Sequence, residues 1–230
     1  FPSEYIHIGG DEAGKEHWKT CPKCQQRMAD ENISDVDGLQ SYMIHRIGKF
    51  IASKGRKMIG WDEILQGGLA PGAVVMSWRG TEGGIEAMAA GHDVIMTPGR
   101  YCYLDHAQDA PFKEPESIGG YLPLDSVYVY EPFEPKMPKD KLNHILGLQA
   151  NLWSEYIPTD EHAEYMYWPR AFAIAETAWS EPHRKNQSDF RRRALIAIDL
   201  LRQRGYTTFN LVDEYGERKL AQTGLEHKAK

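Results

Sequence analysis

Two adjacent carboxylates, Asp11 and Glu12, follow the string His7-Ile8-Gly9-Gly10, where an apolar run gives way to polar residues. Adjacent acids at the end of a strand are aimed differently because the chain turns there, so they can take different parts in a proton transfer. The two glycines let the backbone turn and leave room for a ligand. A carboxyl beside a second acid and against apolar rings has its proton affinity raised, which suits a general acid near neutral pH. A bare Asp-Glu pair would read as two surface acids after a tight turn; the strand, the Gly-Gly turn and the histidine tip the reading toward catalysis. His7 reads either as a residue steadying Asp11 or Glu12 or as a satisfied buried histidine. Further polar and aromatic residues follow later apolar runs: Trp61, Asp62 and Glu63; Trp78 and Arg79; Tyr103 and Asp105; Trp153 and Glu155. Six Trp and twelve Tyr are the compositional oddity, and indole faces suit the C–H faces of sugar rings as well as they suit a core.

These residues need elements to position them. Strand patterns fall at 5–8, 58–61, 73–78, 93–96 and 145–150, with 101–104 just beyond the fourth. Between them, Val36, Leu39, Met43, Ile44, Ile47, Phe50 and Ile51 recur at helical spacing, with a capping box at Ser34 and Asp37 and a stop at Gly55. A second helix is expected over 82–90, closed by Gly91. Trp168, Phe172, Ala175 and Trp179 mark a third helical face; Phe190, Ala194, Ile198 and Leu201 mark a fourth, capped by Ser188 and ended by Gly205. The proline-rich stretch 108–141 reads as a long surface excursion, and 224–230 as a frayed polar end. Strands alternating with helices imply parallel βαβ units. In such a sheet the residues just after each strand share one rim, where the active sites of (β/α)8 barrels lie. Five strands of the eight needed, and an abrupt start at Phe1-Pro2, predict a partial TIM barrel whose first three strands precede this chain. The reading is a single, incomplete domain over 1–230.

Composition narrows the classes. The 230 residues are 41% hydrophobic and 26% charged, as in an ordinary globular domain, and the net charge of −6 gives no basic excess to neutralise a phosphate backbone. No apolar run reaches the roughly 20 residues of a membrane helix. Neither nucleic acid nor membrane is therefore an expected partner. Three cysteines exclude a disulfide-stapled scaffold. Cys21 and Cys24 form a lone C-x-x-C, and zinc would need two further ligands, with His17 near in sequence and Cys102 remote. The pair reads as structural or incidental, and no metal or cofactor is expected. The basic run Arg191-Arg192-Arg193 reads as a solvated helix side, and Trp18, Trp168 and Trp179 as packing residues.

The string His7-Ile8-Gly9-Gly10-Asp11-Glu12 resembles the signature of glycoside hydrolase family 20, the β-N-acetylhexosaminidases, after the fourth barrel strand. Gly60-Trp61-Asp62-Glu63, Ser77-Trp78-Arg79-Gly80, Tyr103-Leu104-Asp105 and Gln149-Ala150-Asn151-Leu152-Trp153-Ser154-Glu155 are similar to the family's segments after strands five to eight, in family order. The resemblance implies removal of terminal β-linked N-acetylglucosamine or N-acetylgalactosamine with retention, the substrate's 2-acetamido oxygen attacking the anomeric carbon through an oxazolinium intermediate. Glu12 would protonate the leaving oxygen and then deprotonate water. Asp11 would accept the acetamido N–H, and Tyr103 would donate to the acetamido oxygen. Trp61, Trp78 and Trp153 would wall the acetamido pocket, while Asp105 and Glu155 would accept hydroxyl protons of the sugar. The partner so implied is an N-acetylhexosamine-containing oligosaccharide or glycoconjugate, and export to a periplasmic, secreted or lysosome-like compartment fits such work. The family's arginine after the first strand is not in this chain, so the 230 residues alone are expected to be inactive or very weak, with open sheet edges that favour self-association. Two competing readings remain: a catalytically silent carbohydrate-binding protein, and a glycosidase using two enzyme carboxylates, Glu12 with Glu63 or Glu155.

Overall fold

The computed structural model describes residues 2–110 and 112–215, so the expectation for 224–230 lies outside the described residues. The chain divides into two compact units, one running to Met96 and including Pro135–Gly147, the other formed by Thr97–Glu134 and the chain from Leu148 onward.

In the first unit β1 (Tyr5–His7), α1 (Pro22–Asp30), α2 (Val36–Ser53), β2 (Lys57–Trp61), β3 (Val74–Ser77), α3 (Glu82–Ala89) and β4 (Val94–Met96) follow in order, and β5 (Ile145–Leu148) joins them in a sheet of order β1-β2-β3-β4-β5. The pairings from β1 to β4 are parallel, setting His7 opposite Ile59, Trp61 opposite Met76 and Ser77 opposite Met96. This is an α/β fold with a parallel sheet, as the alternation of patterns implies. Parallel neighbours need crossovers: α2 packs on β2, and α3 packs on β3 and β4. Strands covered on both faces read as continuous apolar runs, and Val74, Val75 and Met76 are all at most 2% exposed. Ile59, Trp61, Val74 and Met76 form a cluster with Tyr5, Trp78 and Ile95 packed against it. Met58, on the opposite face of β2 by the period of two, lies against Gly48 of α2.

The caps differ from expectation by one or two residues. Asp35, not Ser34, caps α2: its backbone is extended and its Oδ1 accepts the Gly38 N–H at 2.8 Å. The turn after β1 depends on two glycines. Gly9 and Gly10 have φ of +72° and +97°, and a Cβ on Gly10 would lie 2.7 Å from Cγ2 of the buried Ile64. Gly60 of β2 faces the same methyl, at 2.6 Å. Glu12 also takes a positive φ, +48°.

The second unit contains α4 (Gly99–Cys102), α5 (Leu124–Tyr128), α6 (Asp160–Tyr167), α7 (Arg170–Trp179) and α8 (Gln187–Gln203). Residues 101–104 are not a strand: α4 ends at Cys102, and Tyr103 makes an isolated parallel bridge to Asn151. The stretch 108–141 is a surface excursion only in part: Phe112, Ile118, Val129 and Phe133 are exposed. Its Leu122, Leu124, Val127, Tyr128 and Tyr130 belong to the core of this unit, where Tyr128 stacks on Phe190 with centroids 4.2 Å apart. Proline broke the periodicity there without exposing these five side chains. The face of α7 is also rotated from the one expected. Arg170, Ala173, Ile174 and Thr177 point inward, whereas Ala175 is exposed and Trp179 is 91% exposed, so Trp179 is not a packing residue. Small alanines let α7 approach α5, and the internal hydrogen bonds of Arg170 set the helix's rotation. Asn186 rather than Ser188 caps α8, accepting the Asp189 N–H at 2.9 Å, while Phe190, Ala194 and Ile198 are buried as expected. Arg191 bonds Asp125 and Glu214, so only Arg192 and Arg193 of the basic run are exposed. No helix among the described residues is long and apolar enough to cross a membrane.

Gly10→Ala should destabilise the protein by about 2 kcal/mol or more, from strain at positive φ and the collision with Ile64. Gly14→Ala, whose Cβ would meet nothing within 4 Å, should stay within about 0.5 kcal/mol of wild type. Urea unfolding midpoints of the two variants would show the difference, and equal midpoints would refute the packing argument.

Candidate active site

The first unit carries His7, Asp11, Glu12, Trp61 and Trp78. His7 closes β1, and its Nδ1 accepts the Gly9 N–H at 3.0 Å, which fixes that nitrogen as an acceptor. Its ring meets Trp61 edge-on, centroids 4.8 Å apart. His7 is exposed and so is not a buried histidine; partial desolvation of its ring lowers its pKa, and the charge of Asp11 pulls the other way. His7 therefore steadies the Gly9 turn directly. Asp11 and Glu12 emerge from that turn exposed to solvent.

Sequence reasoning placed Asp62, Glu63 and Arg79 on the rim but gave Asp62 and Arg79 no task. Asp62, 1% exposed, accepts the backbone N–H groups of Trp78 (3.0 Å) and Arg79 (3.2 Å) through Oδ2 and the Arg79 Nε–H (2.5 Å) through Oδ1. Glu63 Oε2 accepts the Trp78 indole N–H at 2.9 Å. Two carboxylates after β2 thus set the direction of the Trp78 ring and of the Arg79 guanidinium after β3. Trp61, 7% exposed, is largely enclosed. A hollow of about 360 Å³ is lined by Glu12, Lys15, Gln40, Glu63, Gln66 and Arg79, among others.

The second unit carries Tyr103, Asp105, Trp153 and Glu155. The residues on either side of Tyr103 are pinned to Asn151 by two main-chain bonds, Leu104 N–H to Asn151 O (2.7 Å) and Asn151 N–H to Cys102 O (2.8 Å). The Asn151 amide also donates to Thr97 Oγ1 at 2.7 Å. Trp153 follows two residues later, 39% exposed, its ring 6.2 Å from that of Tyr103. Asp105 is 3% exposed, and its Oδ1 has no hydrogen-bond partner among the described residues. Burial pushes its pKa up to about 6; Arg170 opposes that rise, and the exposed Glu155 adds to it. Arg170 is wholly buried and donates to the carbonyls of Met166, His106, Leu122 and Leu104. No local sequence pattern announces this, because three of its partners lie 48 to 66 residues away.

Cys21 and Cys24 are free, half-buried thiols at the N-cap and third residue of α1, and Cys102 is buried, its thiol pushed up to about 12 by desolvation. Among the described residues no group of three His, Cys, Asp or Glu side chains could hold a metal ion.

The catalytic-domain description of glycosyl hydrolase family 20 matches residues 1–182, through both units. A β-hexosaminidase of Porphyromonas gingivalis is 50% identical over 204 residues, covering 87% of this chain and 26% of that protein. A β-hexosaminidase of Vibrio furnissii is 38% identical over 76% of this chain and 29% of its own length. Among solved structures, the exo-β-N-acetylglucosaminidase of Vibrio harveyi in complex with N-acetylglucosamine superposes with a TM-score of 0.82 at 31% identity, over 91% of this chain and 33% of that one. The chain thus spans between a quarter and a third of the length of these relatives.

The raised pKa of Asp105 has a thermodynamic consequence. A carboxyl with a higher pKa folded than unfolded contributes stability that is complete below the unfolded value, near 3.9, and is lost as pH rises through about 6. Asp105→Asn removes that dependence. Between pH 4 and 7.5 the stability of wild type relative to the variant should fall by roughly 2 kcal/mol. Parallel pH profiles in urea unfolding would refute the assignment.

Proposed function

The chain belongs to glycosyl hydrolase family 20, and we propose that the whole protein hydrolyses terminal, non-reducing β-linked N-acetylglucosamine or N-acetylgalactosamine with retention, using the substrate's own acetamido group as nucleophile. The observation that carries the reading is the turn after β1, where Gly9 and Gly10 deliver Asp11 and Glu12 to solvent at the carboxyl end of a parallel sheet. The names of the relatives support the sugar.

In this mechanism Glu12 gives its proton to the leaving oxygen and takes one back from the attacking water, a role that typically contributes 10²–10⁴-fold, as an order-of-magnitude figure. Asp11 accepts the acetamido N–H and so turns the acetamido oxygen toward the anomeric carbon; Tyr103 donates to that oxygen. These contacts act by holding the amide in an attacking geometry and by stabilising charge as it develops. Trp61, Trp78 and Trp153 exclude water from the ring that forms. Asp105 and Glu155 take hydroxyl protons of the terminal sugar, and the unpartnered Oδ1 of Asp105 supports that part of the reading.

Within the same proposal the five strands correspond to strands four to eight of a (β/α)8 barrel, and 1–230 is a portion of one catalytic domain. The family's hydroxyl-gripping arginine after the first strand then lies upstream, which leaves these 230 residues inactive or very weak alone and prone to self-associate through the β1 and β5 edges. One observation favours the two-carboxylate alternative: Glu63 lines the same hollow as Glu12. Against it, one oxygen of Glu63 is occupied by the Trp78 indole.

With a chromogenic β-N-acetylglucosaminide and the full-length protein, Glu12→Gln should lower kcat by about 10²–10⁴-fold, and a thiazoline mimic of the cyclic intermediate should inhibit the wild type. Retained turnover in the variant would remove Glu12 from its role; a thiazoline that fails to inhibit would favour direct attack by a carboxylate.

A further inference from the structure

The C-x-x-C motif has no task in the hydrolase reading. Cys21 is the N-cap of α1 and Cys24 its third residue, so the two stand one turn apart on the same side of the helix start, and both thiols are free and half-buried. Pro22 between them takes the first helical position, where its fixed φ suits the turn and its missing N–H costs nothing. The backbone of Cys21 is held from both sides: its N–H donates to the His17 carbonyl and its own carbonyl accepts the Gln25 N–H, each at 3.0 Å. The Gln25 amide ties the same turn to the Trp18 carbonyl at 2.8 Å. Cys102, 0% exposed, is a core residue, whereas Cys21 and Cys24 are within reach of solvent. With no third metal-ligating side chain grouped with them among the described residues, the two sulfurs have each other as chemical neighbours.

We propose that Cys21 and Cys24 form a reversible disulfide site that exchanges with low-molecular-weight disulfides, Cys21 being the sulfur that attacks and Cys24 the one that closes the ring. Cys21 gives up its proton and attacks one sulfur of the small disulfide RSSR. That S–S bond breaks, and the first RS⁻ leaves and takes up the proton. Cys24 then gives up its proton and attacks Cys21 Sγ in the mixed disulfide; the internal S–S bond forms as the mixed one breaks, and the second RSH leaves. Two electrons pass from the protein dithiol, which is oxidised, to the small disulfide, which is reduced to two thiols. The order of the sulfurs follows from their surroundings. The Cys24 N–H, then the Cys24 thiol and the Lys23 N–H, hold the Cys21 thiol below its usual pKa, whereas the Cys21 thiol raises that of Cys24. The thiolate is the nucleophile, and the positive end of a helix favours it. Cys102, its thiol pushed up to about 12 by desolvation, takes no part.

The test incubates the reduced full-length protein with oxidised glutathione in the absence of denaturant, quenches with acid and measures the mass of the peptide containing residues 21–24. In the wild type this peptide should lose two hydrogens, retain no glutathione, and recover both thiols in excess reduced glutathione. Cys24→Ser should trap glutathione on Cys21, and Cys21→Ser should take glutathione on Cys24 about tenfold more slowly. Thiols that stay unreacted in the wild type, glutathione retained on either of them, or a ring that excess reduced glutathione does not open would overturn the exchange site. Equal rates in the two variants would overturn the order of the sulfurs. If a serine variant does not fold, the wild-type peptide masses decide alone. None of these readouts uses glycoside turnover, so the outcome is independent of the hydrolase reading.

Discussion

The Cγ2 methyl of Ile64 lies where a Cβ at either Gly10 or Gly60 would fall, and the first unit depends on that exclusion. Only a chain without side chains at both positions can bring the turn after β1 down onto the turn after β2. Ile64 sits in the short helical turn Asp62–Leu65, beside the two carboxylates that hold Trp78 and Arg79. One fully buried side chain therefore links three successive strand ends: the acids after β1, the clamp after β2, and the indole and guanidinium after β3. Proton-transfer geometry is demanding at the level of an ångström, and close packing is what supplies that tolerance.

Two buried aspartates show how differently a carboxylate can be treated. Asp62 accepts three N–H groups, a full set of charge-assisted bonds, and it serves as scaffold. Asp105 is nearly as enclosed but keeps an oxygen without a partner, and burial raises its proton affinity. Buried polar groups are ordinarily paired, so an orphan oxygen marks either a cost carried for a purpose or a place kept for an arriving donor. The first carboxylate organises the protein; the second keeps an acceptor oxygen that no donor among the described residues fills.

Much of this was legible in the sequence because it is written in short-range terms. Strand runs bounded by glycine, alternating with helical spacing, carry the α/β class with its parallel sheet. The misses share a different cause. Asp35 displaced Ser34 as a cap because backbone dihedrals, not the residue pattern, decide which residue is half in the helix. The face of α7 was misjudged because the aromatic residues suggested one side, whereas a buried arginine and small alanines fixed another. The proline-rich stretch lost its periodicity and with it the sign that Leu122, Val127 and Tyr130 are core. Neither the Asp62–Arg79 clamp nor the role of Arg170 has a local signature, since each joins residues that folding alone brings together.

Arg170 has a last implication. Among the described residues every hydrogen bond of its guanidinium ends on a main-chain carbonyl, at residues 104, 106, 122 and 166. Any residue type supplies a carbonyl, so the path of the chain around Tyr103 and Asp105 is dictated without reference to which side chains stand at those four places. The burden of shape is concentrated at a single position, and its neighbours are free to vary for other reasons. Such an arrangement lets the local sequence drift while the curve that carries the tyrosine and the aspartate stays where it is.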